Sequence, residues 1–508
     1  MMIDFTNTLG TVTALFLLNY AFRRYMSSLA RAPQPAGSNF WITRLGVVPP
    51  PHDGEDILSQ FLIDVGQDRR QSPISVCFSL MGSPLVLVNT LKGIKDVLID
   101  GQTKDKQLGP CVQRGDLIRR IQNLVFGGPS INNAVGEDWA WRRHVLLPSF
   151  QPKQLVPKLL PYVVEQSTEI LALFNEHASQ GTALEVDNVF TDLTMNVINY
   201  YLYGRRDLNF EMVGGRSNLK NEHLKLGLGF QSLEAWLPFG LNETKWAQRS
   251  YRPSRELLKD FIRDSLSHAD PESVAALAMA SGKYDNKHEA LVNDMLSLTF
   301  AGYDTTAHTL SFCFSELARH PEIQQRVFEQ VRQVLGPPPV TSITADKLAQ
   351  LTLVTAVYRE TLRKYPAVVF IPVHVNRDTP VDGQIVPAGA EIWCNIRGLQ
   401  MNPDLFPNPD EFNIDRWLAD GSNGFDDLAS GGVSQHRFPD ITFTLGQHAC
   451  LGKNLAILEL RTMIALTVNQ FAMTLKPGNR IETKIILTTK PKNGVWVNFK
   501  GRDEVVSS

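Results

Sequence analysis

Cysteine is scarce in this chain, and no two cysteines stand close together. The five residues Cys77, Cys111, Cys313, Cys394 and Cys450 are an odd number spread over 508 positions. That argues against a disulfide framework and for a reducing compartment. An excess of charge of one sign is lacking too. Fifty basic residues against 52 acidic ones leave a net charge of −2, which gives no whole-chain footprint for nucleic acid or an anionic surface. No repeat or low-complexity tract stands out. What remains, 43% hydrophobic and 20% charged, is the make-up of an ordinary globular protein with ample core.

Long apolar runs are also rare, with one exception at the start. From Phe5 to Phe22 there is no charge; only Asp4 precedes the run, and Arg23 and Arg24 follow it. A helix needs roughly 20 such residues to cross the hydrocarbon layer, so this run is at the short end. A cleaved signal would carry its positive charge before the apolar stretch, not after it. The positive-inside rule then sets the N-terminus in the lumen and the rest in the cytoplasm. The expectation is a retained single-pass anchor over residues 1–26 and a proline-containing linker over 27–45, with Pro33, Pro35 and Gly37. One body then fills residues 46–508.

The most informative stretch is Phe443-Thr444-Leu445-Gly446-Gln447-His448-Ala449-Cys450-Leu451-Gly452. Gly446 permits a tight turn and Gly452 a close approach to the backbone. A helical pattern follows at once through Leu455, Leu458 and Met463, so the positive end of a helix lies beside Cys450 and favours a thiolate. A free cysteine is ordinarily a small buried hydrophobe. Here no second cysteine lies nearby, which excludes locally both a zinc cluster and a CxxC redox pair. The pattern F-x-x-G-x-H-x-C-x-G fixes five positions in ten.

Four further segments carry chemistry-bearing residues at set spacings. Trp139 and Arg143 share one face of a helix opening at Gly136. A long helical pattern from about Glu289 to Arg319 holds Ala301-Gly302-Tyr303-Asp304-Thr305-Thr306 at its middle. Gly302 costs roughly 1 kcal/mol relative to Ala there, and the acid and threonines compete for backbone hydrogen bonds, so something other than helix stability selects them. Glu360 and Arg363 form E-x-x-R on one face of another helix, and Pro409 to Trp417 ends in I-D-R-W with Arg416. Two runs, Ile74–Phe78 and Leu85–Asn89, read as a β-hairpin across Gly82-Ser83-Pro84. Leu226 to Phe239 is apolar for a connector, and is either core or a lid dipping into a bilayer.

In this order, W-x-x-x-R, A-G-x-D-T-T, E-x-x-R, a P-E-R-F-like segment and F-x-x-G-x-H-x-C-x-G resemble the cytochrome P-450 superfamily. These are haem-thiolate monooxygenases, and the likeness is to the eukaryotic microsomal type, from roughly Gly46 to Val497. It departs where the family usually has Arg and this chain has His448, and where P-E-R-F becomes I-D-R-W. The fold implied is mainly α with a small β lobe, a triangular helical prism behind the membrane anchor.

The resemblance implies heme b with Cys450 as axial iron ligand, in a loop that includes Phe443, Gly446 and Gly452. The thiolate of such a ligand favours O–O cleavage. Trp139, Arg143 and a protonated His448 would bind the haem propionates, with His374 near a further propionate contact. Thr305 would hydrogen-bond dioxygen while Asp304 relays protons from solvent, His308 lying outside that first set. Phe126, Ile131, Phe300, Ala301, Val368, Val369 and Ile371 would face the substrate. Glu360, Arg363 and Arg416 would form a buried ionic triad supporting the cysteine loop. Electrons would come from NADPH through a separate cytochrome P-450 reductase, with cytochrome b5 a further candidate partner, at the endoplasmic reticulum membrane. One oxygen atom would enter a mostly apolar small molecule, as in secondary metabolism. The rival within the family is an isomerase or dehydratase acting without reductase, which intact Asp304-Thr305 argues against. Outside that chemistry, the rival is a haem protein that only binds or transfers electrons.

Overall fold

The computed structural model describes residues 74–77, 84–102, 110–206, 219–232, 241–340, 342–418 and 441–502. The expected anchor and linker, and residues 233–240 of the apolar connector, lie outside the described residues. Among the described residues, no helix is long and apolar enough to cross a membrane.

In chain order the main elements are β1 (Ile74–Cys77), β2 (Leu85–Val88), β3 (Val112–Arg114), α1 (Asp116–Phe126), α2 (Gly136–Leu146) and α3 (Pro152–Gln180). There follow β4 (Leu184–Glu185), α4 (Val186–Tyr203), α5 (Leu219–Leu228), α6 (Arg252–Ser267), α7 (His288–Arg319), α8 (Pro321–Leu335) and α9 (Thr352–Lys364). The C-terminal part supplies β5 (Phe370–Val375), β6 (Glu391–Asn395), α10 (Lys453–Gln470), β7 (Phe471–Leu475), β8 (Thr483–Ile486), β9 (Thr488–Pro491) and β10 (Trp496–Gly501). Helix predominates, and the strands form small sheets.

The largest sheet runs β1-β2-β6-β5-β3. Its first two strands are the hairpin read from the sequence, with Ile74 opposite Val88. Strand β6 joins β2 in parallel, Leu85 opposite Glu391, and β5 pairs antiparallel with β6. The apolar faces of these strands build a separate small core from Val86, Val88, Val373, Val375 and Ile392. A two-stranded ribbon, β8-β9, lies beside α7 with Ile486 opposite Thr488.

Helix α7 is the centre of the helical body. Its 32 residues include a buried run from Leu291 to Phe300, because it is covered on most sides, above all by α4. At 1.5 Å per residue it spans about 48 Å. Gly302 is what lets α4 come so near: a Cβ there would stand 2.7 Å from Cγ1 of the buried Ile198. Four hydroxyls along this helix turn back on its own carbonyls, Thr305 to Ala301 at 3.0 Å, Thr309 to Thr305 at 2.7 Å, Ser311 to Ala307 at 3.0 Å and Ser315 to Phe312 at 2.9 Å. Such back-bonding satisfies the hydroxyls without solvent.

A second fixed point joins α9 to the segment before the cysteine loop. Glu360 and Arg363 are fully buried and bidentate, at 2.8 and 2.9 Å. Arg416 Nε reaches Glu360 at 3.3 Å, and the backbone N–H of Asn413 donates to the same carboxylate at 3.0 Å. Arg363 also donates to the carbonyls of Gln400 and Pro409. One carboxylate and two guanidinium groups thus hold a stretch of irregular chain that has few backbone partners of its own.

Candidate haem-thiolate site

The loop from Ile441 to Gly452 is held by its own backbone. The N–H of Cys450 donates to Phe443 O at 2.9 Å, and that of Thr444 to Ile441 O at 2.9 Å. Gly446 has φ +73° and packs so tightly that a Cβ would meet Leu98 O at 2.1 Å. No other residue type fits there. Gly446 is thus a residue of the turn itself and does not border the cavity described next.

Cys450 opens into a cavity of about 470 Å³. Phe443, His448 and Gly452 line it from the loop, and Ala301, Thr305, Thr306 and Thr309 from α7. Cys450 is exposed to this space, yet the desolvation imposed by the surrounding protein pushes its thiol up. Against it work the backbone N–H groups of Gly452 and Lys453 and the charges of Arg143 and Lys453. The amides of the helix start are where the sequence puts them, but burial outweighs them. Ionisation is therefore left to a bound metal, which strips the proton from a coordinating thiol. Among the described residues, no three His, Cys, Asp or Glu side chains gather as a metal site, so iron would be held through a macrocycle and this one sulfur.

One end of the cavity is cationic. Arg143, on α2, donates to Ala449 O at 2.9 Å and faces Arg114 at the end of β3. Burial and the neighbouring Arg143 push Arg114 down to about 10. Trp139 packs its ring on His448, centroids 4.1 Å apart. Burial, Arg114 and Arg143 push His448 down to about 3. The expected protonated His448 is thus a neutral imidazole here, and the positive charge sits on the two arginines. Three buried atoms of this cluster have no hydrogen-bond partner: Arg114 Nε, Trp139 Nε1 and His448 Nδ1. Leaving such groups unpaired is costly. A flat apolar ring with anionic carboxylates on its edge fits this arrangement of one thiol, an apolar slot and a set of unsatisfied donors.

His374, expected beside a propionate, is engaged elsewhere. It stands directly opposite Glu391 in the β5–β6 register and bonds it at 2.9 Å, and it does not line the cavity. Arg114, opposite Val373 and unmarked by any motif, occupies the cavity wall.

The distal wall departs from expectation at one residue. Thr305 lines the cavity, but Asp304 does not; it is fully buried behind α7. Its Oδ1 lies 2.5 Å from Lys490 Nζ and its Oδ2 accepts from the Thr488 hydroxyl, both on β9. Burial alone would raise this carboxyl, yet Lys490 and His308 hold it well below the usual range. Thr488, not Asp304, borders the cavity. Of the remaining expected lining residues, Phe126, Ile131, Phe300, Val368, Val369 and Ile371 all line the same space. Phe126 belongs to the end of α1 and packs edge-on against Phe300 at 5.7 Å and Phe230 at 5.5 Å. Phe230, from the apolar connector, also lines the wall, as do Trp393, Ile485 and Leu487, which no pattern singled out.

A mainly helical fold with a free thiol at the start of a helix, opposite a long threonine-bearing helix, defines a haem-thiolate oxygenase site. The Cytochrome P450 family profile matches residues 69–497, and the chain belongs to that family. It is 26% identical over 392 residues to Cytochrome P450 714B2 of Oryza sativa subsp. japonica, covering 75% of this chain and 70% of that one. Cytochrome P450 4V2 of Pongo abelii is 24% identical over 487 residues, 89% of this chain and 86% of the relative. Among solved structures, a retinoic acid-bound cyanobacterial CYP120A1 superimposes with a TM-score of 0.67 at 21% identity, covering 84% and 92% of the two chains. A cytochrome P450DA mutant haem domain gives 0.70 at 18%, covering 87% and 94%. The protein is accordingly a haem-thiolate monooxygenase whose iron takes a cysteine thiolate.

Proposed function

We propose that this chain inserts one atom of O2 into a mostly apolar small organic molecule, drawing electrons from NADPH through a separate reductase. The observation that carries the reading is that Cys450 and Thr305 border one cavity whose remaining wall is mainly apolar, with Phe126, Ile131, Phe300 and Val369 prominent. Cys450 is the iron ligand in this reading. Arg114, Arg143, Trp139 and His448 hold the haem carboxylates. Bound haem supplies the reduction and cleavage of O2, with the thiolate as electron donor to iron. The chain's own part is to exclude water from the substrate with this wall, to seat the substrate over the haem, and to hold a hydroxyl at Thr305 Oγ1 where protons are needed.

Residues 1–26 are proposed to anchor the protein in the endoplasmic reticulum membrane, 27–45 to link, and 46–508 to form the catalytic domain facing the cytoplasm, where cytochrome b5 is a second candidate donor. The support is the uncharged run Phe5–Phe22 followed by Arg23 and Arg24.

The first test is the difference spectrum of the reduced protein with and without carbon monoxide, in wild type and Cys450→Ala. A strongly red-shifted Soret band lost in the variant supports the thiolate assignment, and an unchanged band in the variant refutes it. Substrate screening with reductase and isotopically labelled O2 then separates the readings. Label in the product supports monooxygenation, whereas rearranged product formed without reductase and without label means an isomerase.

A further inference from the structure

Residues 127–135, between α1 and α2, form no helix or strand, yet Ile131 and Asn132 within them line the cavity. The segment closes one turn of its own, the N–H of Ala134 donating to Ser130 O at 2.7 Å. Otherwise it is held from outside, on two sides. From α6, Arg255 donates to Leu124 O at 2.6 Å and Lys259 to Gly127 O at 3.4 Å. From α7, Asp294 Oδ1 accepts the N–H of Ile131 itself at 2.6 Å. Asp294 is fully buried, and its Oδ2 accepts from Arg142 of α2 at 2.6 Å and from the Tyr284 hydroxyl, in the turn before α7, at 2.7 Å. One carboxylate thus joins α2, α7 and the cavity wall.

We infer that Asp294 is a specificity-determining residue: by holding the Ile131 amide it sets where that wall stands, and so which apolar groups fit beside it. Asp294 touches no reacting atom and acts by positioning Ile131. The inference rests on the reading of this cavity as a substrate site over haem. All three partners of Asp294 are donors, which suits a carboxylate and not a carboxylic acid. Oδ2 carries two of them and Oδ1 one, so an added proton settles on Oδ1 and displaces the Ile131 amide. Asparagine does the same at every pH. Its oxygen stays with Arg142 and Tyr284, and its NH2 turns toward the Ile131 N–H.

The surrounding charges place this change close to neutrality. Burial raises the Asp294 carboxyl, Arg142, Tyr284 and the Ile131 amide pull it back, and it settles at about 6. Arg142 is shared with Asp138 of the same helix, 3.2 Å from its Nε. Burial and Asp294 push the Tyr284 phenol far up, so it stays a donor. Lys287 lies over the Trp141 ring, 4.6 Å from its centroid. Residues 127–135 bring an amide and no charge. The Ile131 link is therefore complete at neutral pH and is lost as pH falls through about 6.

The test uses the full haem-loaded chain and two uncharged probes that bind iron through nitrogen, N-methyltriazole and N-benzyltriazole. Only the second carries an apolar ring able to reach the wall. Soret shifts give a Kd for each, and the readout is the preference for the benzyl probe. Wild type is expected to show that preference at neutral pH and to lose it severalfold as pH falls through about 6. Asp294→Asn should show the low preference at every pH while binding the methyl probe as wild type does. In that variant, hydrogen exchange followed by mass spectrometry should be faster in residues 127–134 and unchanged in the buried part of α4. Tyr284→Phe removes a donor from Oδ2 and keeps the Ile131 link. It should match wild type at high pH and lose its preference at a higher pH than wild type, a result that stands even where Asp294→Asn fails to fold. A wild-type preference in Asp294→Asn overturns the assignment, as does wild-type exchange of residues 127–134 in that variant or an unmoved pH profile in Tyr284→Phe. If the methyl probe leaves the wild-type Soret band unshifted, the haem-site reading fails instead, and the exchange comparison still decides whether Asp294 holds the wall.

Discussion

Trp417 donates its indole N–H to Glu360 Oε2 at 2.9 Å, so the residue by which this chain departs from P-E-R-F adds a further donor to the buried carboxylate. Glu360 already holds Arg363, Arg416 and the amide of Asn413. A hydrogen bond to a charged acceptor contributes about 1.5–3 kcal/mol. Trp417→Phe should therefore lower stability by about that amount without unfolding the protein. Arg363→Ala leaves a buried carboxylate short of its main partner and should cost more, on the order of 3–5 kcal/mol. Chemical denaturation of the holoprotein checks the order, and equal losses for the two variants would contradict it.

Gly302→Ala tests the packing explanation for a glycine in mid-helix. Helix propensity favours the alanine by about 1 kcal/mol, but forcing a methyl into a packed contact costs about 1–3 kcal/mol. The contact atoms include Ile198 Cβ at 3.2 Å, near a backbone that cannot shift freely. The variant should be destabilised overall and recover in the Gly302→Ala/Ile198→Ala pair. A stabilised single variant would show that the close approach of α4 and α7 is not what keeps the glycine.

Arg114→Ala and Arg143→Ala should each speed haem loss, and the double variant should lose haem fastest. Transfer of haem to an apoglobin acceptor, followed by absorbance, measures the rate directly. A His374→Ala variant should behave like wild type, since His374 is paired with Glu391 away from the cavity. Faster haem loss in His374→Ala would restore that residue to the site.

Glu459 on α10 predicts a pH dependence. Neither of its carboxyl oxygens has a hydrogen-bond partner, and burial raises the group well above its ordinary 4.5. The native state therefore keeps a proton that the unfolded chain has released, and stability falls as pH rises above 4.5. The slope from this one group is at most about 1.4 kcal/mol per pH unit, and it ends where the folded carboxyl ionises. Glu459→Gln removes it, so the variant should be more stable than wild type at neutral pH by a margin that grows with pH. Denaturation curves at several pH values check this; a constant margin would mean that the carboxyl is already ionised in the fold.

Thr305→Ala should uncouple NADPH consumption from product, with hydrogen peroxide appearing instead, because the hydroxyl on the cavity wall is lost. Unchanged coupling would leave Thr488 as the hydroxyl that matters on this side.

The residues legible in the sequence are those whose geometry is local. Trp139 and Arg143 lie one helical turn apart, Glu360 and Arg363 likewise, and Cys450 sits in a ten-residue loop closed by its own amides. Spacing of this kind fixes direction, because a helix face or a tight turn leaves a side chain few places to go. His374 shows the limit. Its place in the sequence put it near the site, but the register of β5 against β6 set it opposite Glu391, and directly opposed cross-strand side chains bond each other.

The sequence by itself determined the haem-thiolate family, the proximal cysteine, the long helix with its threonines and the E-x-x-R lock. It did not contain Arg114 as a partner of Arg143, nor Lys490 as the partner of Asp304, 186 positions away. Those pairings were decided by tertiary structure alone. They depend on which strands fold back against which helices, and a buried charge takes whatever counter-charge that packing brings within reach.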